Sequence, residues 1–196
     1  MKKILLITLA ILVTSSAINA QFTKIGGGVT YTTGLHYNNE KTGSQADLHR
    51  SPFLGFFITS IYEITLPIHI APSFTYFIPR TNEISNQTFV EKTRVSSMMF
   101  DINGHFVFNS LDRFEFYSLA GMDVLLTGIK WLGTESKDHD NAIGLNLGVG
   151  SYMKIAQQVD LFLEAKYVVS KYGQFMANAG VLVNLQYIFK HKKEPI

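Results

Sequence analysis

Eight ionisable residues stand at spacings that could place them together: Asp101, His105, Glu115, Asp123, Lys154, Asp160, Glu164 and Lys166. Each falls on the parity of its segment that also carries Gly, Asn and Ser, so a period of two would aim all of them at one shared surface. Acids, amines and an imidazole gathered there could relay protons or pass small ions along a narrow path. Alternatively, they neutralise one another as interior salt bridges and hydrogen bonds. That reading is preferred, because charges withdrawn from water need partners.

A second set lies in polar stretches. Asp138-His139-Asp140, with His36 and His49, could ligate a metal or serve a surface hydrolase. Lone His and Asp residues in polar loops are mostly just solvated, and nothing beyond proximity in sequence groups them. The run Gly144-x-Asn146-x-Gly148-x-Gly150 superficially suggests a dinucleotide loop. That motif needs a strand-to-helix turn and other glycine spacings, whereas this run continues a strand. No Gly-x-Ser-x-Gly elbow is present either. No catalytic residue, cofactor site or metal site is assigned, and no cofactor is expected.

The elements that must position these residues begin after a leader. Met1-Lys2-Lys3, an apolar stretch from Ile4 to Val13 and a polar tail ending at Ala20 have the form of a signal peptide over residues 1–20, cleaved before Gln21. Removing it takes away Lys2 and Lys3, so the basic count falls from 17 to 15 and equals the 15 acids. A neutral mature chain without a clustered basic face excludes nucleic acid as a partner. There is no cysteine, which removes disulfides, thiol nucleophiles and thiolate metal sites. Beyond Gln21 no window reaches the roughly 20 apolar residues of a membrane helix. Yet 46% of residues are hydrophobic, with 15 Phe and 9 Tyr, and that apolar surface needs another home.

Alternation supplies it. About eight segments show two parities of different chemistry. In one, Val159, Leu161, Leu163, Ala165, Tyr167 and Val169 oppose Asp160, Phe162, Glu164, Lys166, Val168 and Ser170. In another, Ile143, Leu145, Leu147 and Val149 oppose Gly144, Asn146, Gly148 and Gly150. The segment from Pro52 to Ile64 is apolar on both parities and cannot be phased. Connections alternate in length: polar stretches at 38–50, 80–92 and 130–141 are separated by short links at Leu66-Pro67, Asn109 to Arg113 and Ala156 to Gln158. The fourth long-side connection, Lys171 to Gln174, is short. Short turns on one side and longer loops on the other are the layout of an up-and-down barrel in an outer membrane.

A soluble, lipocalin-like binder would alternate too, with its charged face in water and its apolar face around a cavity. Here the apolar parity is nearly free of charge, while a soluble exterior would carry many more Lys and Glu. Lipid is therefore the expected surroundings of the apolar face. Gly26, Gly28, Gly34, Gly121, Gly144, Gly148, Gly150 and Gly180 share the inward parity, as a crowded lumen requires. The expected fold is all-β, a membrane-spanning up-and-down antiparallel β-barrel of about eight strands over residues 21–190, with a basic tail at 191–196. An eight-stranded lumen is filled by side chains, so an open diffusion pore is not expected.

Lys24-Ile25-Gly26-Gly27-Gly28-Val29-Thr30-Tyr31, Ala142 to Gly150, Leu161 to Tyr167 and Val183 to Phe189 resemble the small outer-membrane barrels of Bacteroidetes, the PorT-like and OmpX/OmpA-like β-barrel domains. The resemblance covers essentially the whole mature chain. It implies outer-membrane localisation, outer-membrane lipid as surroundings, and recognition of the last strand, with Phe189, by the barrel-assembly machinery. The tail after Phe189, Lys190 to Ile196, departs from that pattern. The expected role is a non-catalytic barrel whose surface loops bind an envelope partner or support an assembly. The alternatives are a narrow channel or secretion component, or a rim enzyme acting on lipid or peptide through His36, His49 or His139.

Overall fold

The computed structural model describes residues 22–33, 53–86, 89–132, 137–171 and 173–185. The expected leader, His36 and His49, Phe189 and the basic tail lie outside these residues. Eight strands follow one another: β1 (Phe22–Thr32), β2 (Phe53–Thr65), β3 (Ile68–Asn86), β4 (Phe89–Ser110), β5 (Phe114–Trp131), β6 (Lys137–Ala156), β7 (Val159–Val169) and β8 (Gln174–Asn184). Each pairs antiparallel with its chain neighbour, and β8 returns to β1. The closed ring has no free edge, so every strand finds backbone partners on both sides, which lipid demands. No helix among the described residues is long and apolar enough to cross a membrane.

Outward positions form an apolar belt. On β4 it runs from Met98 through Phe100, Ile102 and Phe106 to Phe108, all more than a third exposed. The ten residue steps between them, at a strand rise of about 3.4 Å and tilted about 40°, make a band about 26 Å tall, which matches a hydrocarbon core. No outward position within the band carries a charge. Aromatics mark both edges: Tyr31, Tyr76, Tyr167 and Phe175 on one, Phe106, Phe108, Phe114 and Phe116 on the other. Such girdles sit at the two membrane interfaces.

Strand β2, unphased in the sequence, faces Leu54, Phe56 and Ile58 outward and Phe57, Thr59 and Ile61 inward. Both parities are apolar because Phe57 and Ile61 fill the lumen. The connections correct the sequence expectation. Most of 80–92 and 130–141, expected as loops, is strand: Thr81 pairs with Arg94, Glu83 with Lys92 and Lys130 with Lys137. Their polarity marks emergence into water, while the ladder continues past the membrane. The other end is compact, with Leu66-Pro67, Leu111 to Arg113 and Gln157-Gln158 as its turns.

Closure at the β1–β8 seam depends on glycine. A Cβ on Gly28 would strike the Ala179 carbonyl oxygen and the Gly180 Cα, and one on Gly26 the Val181 carbonyl oxygen. The two backbones can approach only where side chains are absent.

Candidate functional site in the barrel interior

The lumen is layered. Nearest the end with the long strands, Phe77, Val95, Met99, Leu125, Ile129, Val168 and Met176 form a buried apolar cluster, with Trp131 packed against it. Below it lies a polar network. Asp101 accepts hydrogen bonds from Ser73 Oγ at 2.7 Å and Asn103 Nδ2 at 2.6 Å, and its other oxygen is 3.2 Å from Lys166 Nζ. Lys166 also reaches Glu164 at 3.8 Å. Glu164 accepts from Tyr117 at 3.1 Å and Asn178 at 3.0 Å, and lies 3.7 Å from His105 Nε2. Asn146 donates to Asn103 Oδ1 at 2.9 Å, and Thr30 donates to Asn178 Oδ1. His105 Nδ1 shares a hydrogen bond with the Tyr152 hydroxyl.

An aromatic layer follows. His105 stacks on Tyr117 at 4.2 Å, Tyr117 on Tyr152 at 4.7 Å, and Phe162 leans on both Tyr152 and Phe57. Beneath it Lys24 lies 5.0 Å from the Tyr152 ring centre, 2.9 Å from Asp160 and 3.8 Å from Glu115. Lys154 reaches Glu115 at 3.5 Å, but half its side chain is exposed, which places it at the rim near the short turns.

The eight residues singled out in the sequence therefore divide. Asp101, His105, Glu164 and Lys166 meet in the central network. Glu115 pairs with Lys154 at the lower rim, and Lys24 joins Glu115 to Asp160 there. Asp123 is buried opposite Asp101, lies over Gly144, and has no hydrogen-bond partner on either oxygen among the described residues. Alternation alone did not single out Lys24, His69, Tyr117, Tyr152 or Asn178. The signal for Lys24 was available, since it shares its parity with Gly26 and Gly28. Tyr117 and Tyr152 share the inward parity of Glu115 and Lys154, but ring stacking across strands has no trace in one segment's pattern.

Asp138, His139 and Asp140 lie on β6 rather than in a loop. Alternation splits them: His139 faces outward with its backbone N–H on Asp138 Oδ1, and Asp140 pairs with Lys171 at 2.9 Å. Among the described residues no group of three His, Cys, Asp or Glu side chains converges to hold a metal ion.

Comparison with known proteins agrees with this architecture. The sequence pattern of a family described as outer membrane protein beta-barrel domain matches residues 5–189. Among solved structures, Neisserial surface protein A shares 16% identity and a TM-score of 0.61, covering 84% of this chain and 98% of that one. Ail of Yersinia pestis, solved with the heparin analogue sucrose octasulfate, shares 16% identity and a TM-score of 0.51, covering 83% and 99%. The N-terminal β-barrel domain of Pseudomonas aeruginosa OprF shares 14% identity and a TM-score of 0.50, covering 84% and 98%. At these identities the likeness is one of fold. A comparison with curated proteins finds no match.

Proposed function

Because the chain belongs to the outer membrane protein β-barrel domain family, we propose that it is a closed, non-catalytic anchor presenting strands β3–β6 outside the membrane for binding an envelope or surface partner. The observation that carries this reading is the contrast between the two ends. At one end the strands turn back at the belt. At the other, β4 continues from Met98 to Phe89, about 30 Å along the strand, flanked by β3 and β5, with β5 paired in turn to β6. A barrel that served only to span the bilayer would not need that extension. The long end is taken as extracellular, as in outer-membrane barrels generally, with the leader at 1–20 directing export.

The interior argues against transport. A buried apolar cluster, an ion-paired network and a stacked aromatic layer lie in series, so an ion would have to pass two water-poor layers. The PorT-like resemblance would make an export assembly one class of partner, with the barrel as its support rather than its conduit.

Site-specific photo-crosslinking in intact cells tests the proposal. With the crosslinker at Thr81, on the extension, protein adducts are expected; at Ile102, in the belt, only lipid adducts are. Absence of protein adducts from position 81 and from neighbouring exposed sites on the extension would refute a binding role for these strands.

A further inference from the structure

Just above the belt on β4–β6, three cations stand in one cross-strand row. Arg94 pairs with Lys130, and Lys130 pairs with Lys137. All three are exposed, and none has a hydrogen bond or ion pair among the described residues. All three share the outward parity of Met98, Leu126 and Ile143, so they project sideways from the barrel wall rather than over its mouth. Like charges directly opposite one another destabilise a ladder. The row has no counter-charge among the described residues, and an anion lying against it would relieve that repulsion.

Its height identifies the anion. The edge of the apolar belt is the row Met98–Leu126, and the next row outward is Ser96–Gly128–His139. The cations follow in the next row, four residues beyond Met98 along β4. For Arg94 and Lys130 that is about 14 Å along the strand and about 10 Å above the hydrocarbon edge once tilt is included, while Lys137, six residues beyond Ile143, the last apolar outward residue of β6, stands about 16 Å above it. We propose that Arg94, Lys130 and Lys137 form a lateral binding site for the phosphate groups of an outer-leaflet glycolipid. Arginine supplies a fork that grips phosphate oxygens in pairs, and the lysines act as point charges on either side of the shared anion. A soluble polyanion would more readily approach the top of the extension than a lateral row at headgroup height. The site rests on the barrel spanning the outer membrane with its long strands outside.

The test uses the folded chain in neutral detergent micelles, with its only tryptophan, Trp131 beside Lys130, as fluorescent reporter. The probes are diphosphorylated lipid A and the same lipid with both phosphates removed. The unmodified protein is expected to bind the phosphorylated form about a hundredfold more tightly, the product of three cation–phosphate contacts. That preference should shrink as salt rises, vanish in R94Q/K130Q/K137Q and survive in R94K/K130R/K137R. A heat-modifiable gel shift before each titration separates loss of the site from loss of the barrel. If the triple glutamine variant does not fold, the salt dependence of the unmodified protein and the charge-conserving variant decide. Equal affinity for both lipids, or an undiminished preference in a folded glutamine variant, overturns the proposal. So does tight binding of a soluble sulfated oligosaccharide through these residues without binding of phosphorylated lipid A.

Discussion

Lys166 shows what one residue does inside this barrel. It is fully buried, and its ammonium is the amine placed between Asp101 and Glu164, with Asp123 close by. Removing one partner of a buried ion pair is far more damaging than exchanging the whole pair, because an uncompensated charge stays behind. Lys166→Met is therefore expected to destabilise the folded barrel by about 3–5 kcal/mol. Denaturant unfolding in lipid vesicles measures this, and adding Asp101→Asn should restore part of the loss. The alternation on β7 already aimed Asp160, Glu164 and Lys166 inward together, so membership of the interior set was legible. Partnership was not. Lys166 meets Asp101 from β4, a strand distant from β7 in the ring, and only the curvature of the closed sheet brings them together.

At the level of elements, two strand properties carry distinct tests. The β1–β8 seam closes over bare backbone, so Gly28→Val should prevent closure and leave a species whose gel mobility does not change on boiling. The belt tolerates apolar exchange but not charge. Ile102 is 62% exposed within the band, and Ile102→Arg is expected to cost about 2–4 kcal/mol. The same change at Ser96, above the belt, should cost much less, and unfolding in vesicles compares the two. Strand existence and facing were legible because lipid forbids charge on one parity over the whole height of the band. Strand ends were not. The polar residues of 80–92 and 130–141 leave the membrane while keeping their ladder, and composition reports the first event but not the second. The phase of β2 was hidden for a related reason, since a lumen filled by Phe57 and Ile61 looks as apolar as lipid does.

At the scale of the whole molecule, the described strands form a closed ring with side chains packed inside it and longer strands at one end. Reconstituted in a planar bilayer, the protein is expected to show no stepwise conductance, and regular ion-sized steps would return the channel reading to first place. Replacing Phe77, Met99 and Leu125 with glycine would thin the upper apolar layer, but the aromatic layer around Tyr117 and Tyr152 should still keep the barrel closed.

By itself the sequence determined the class of fold, the number of strands and the inward or outward facing of most residues. Its strongest signals are period-two alternation and the exclusion of charge from lipid, and both act within a single strand. Only the tertiary structure decided which buried charges meet, which glycines seal the ring, how far the strands outrun the membrane, and that Arg94, Lys130 and Lys137 share one row. Each of these depends on the register between strands and on the closing of the ring, quantities that couple residues far apart in the chain and leave no periodic mark on any one segment.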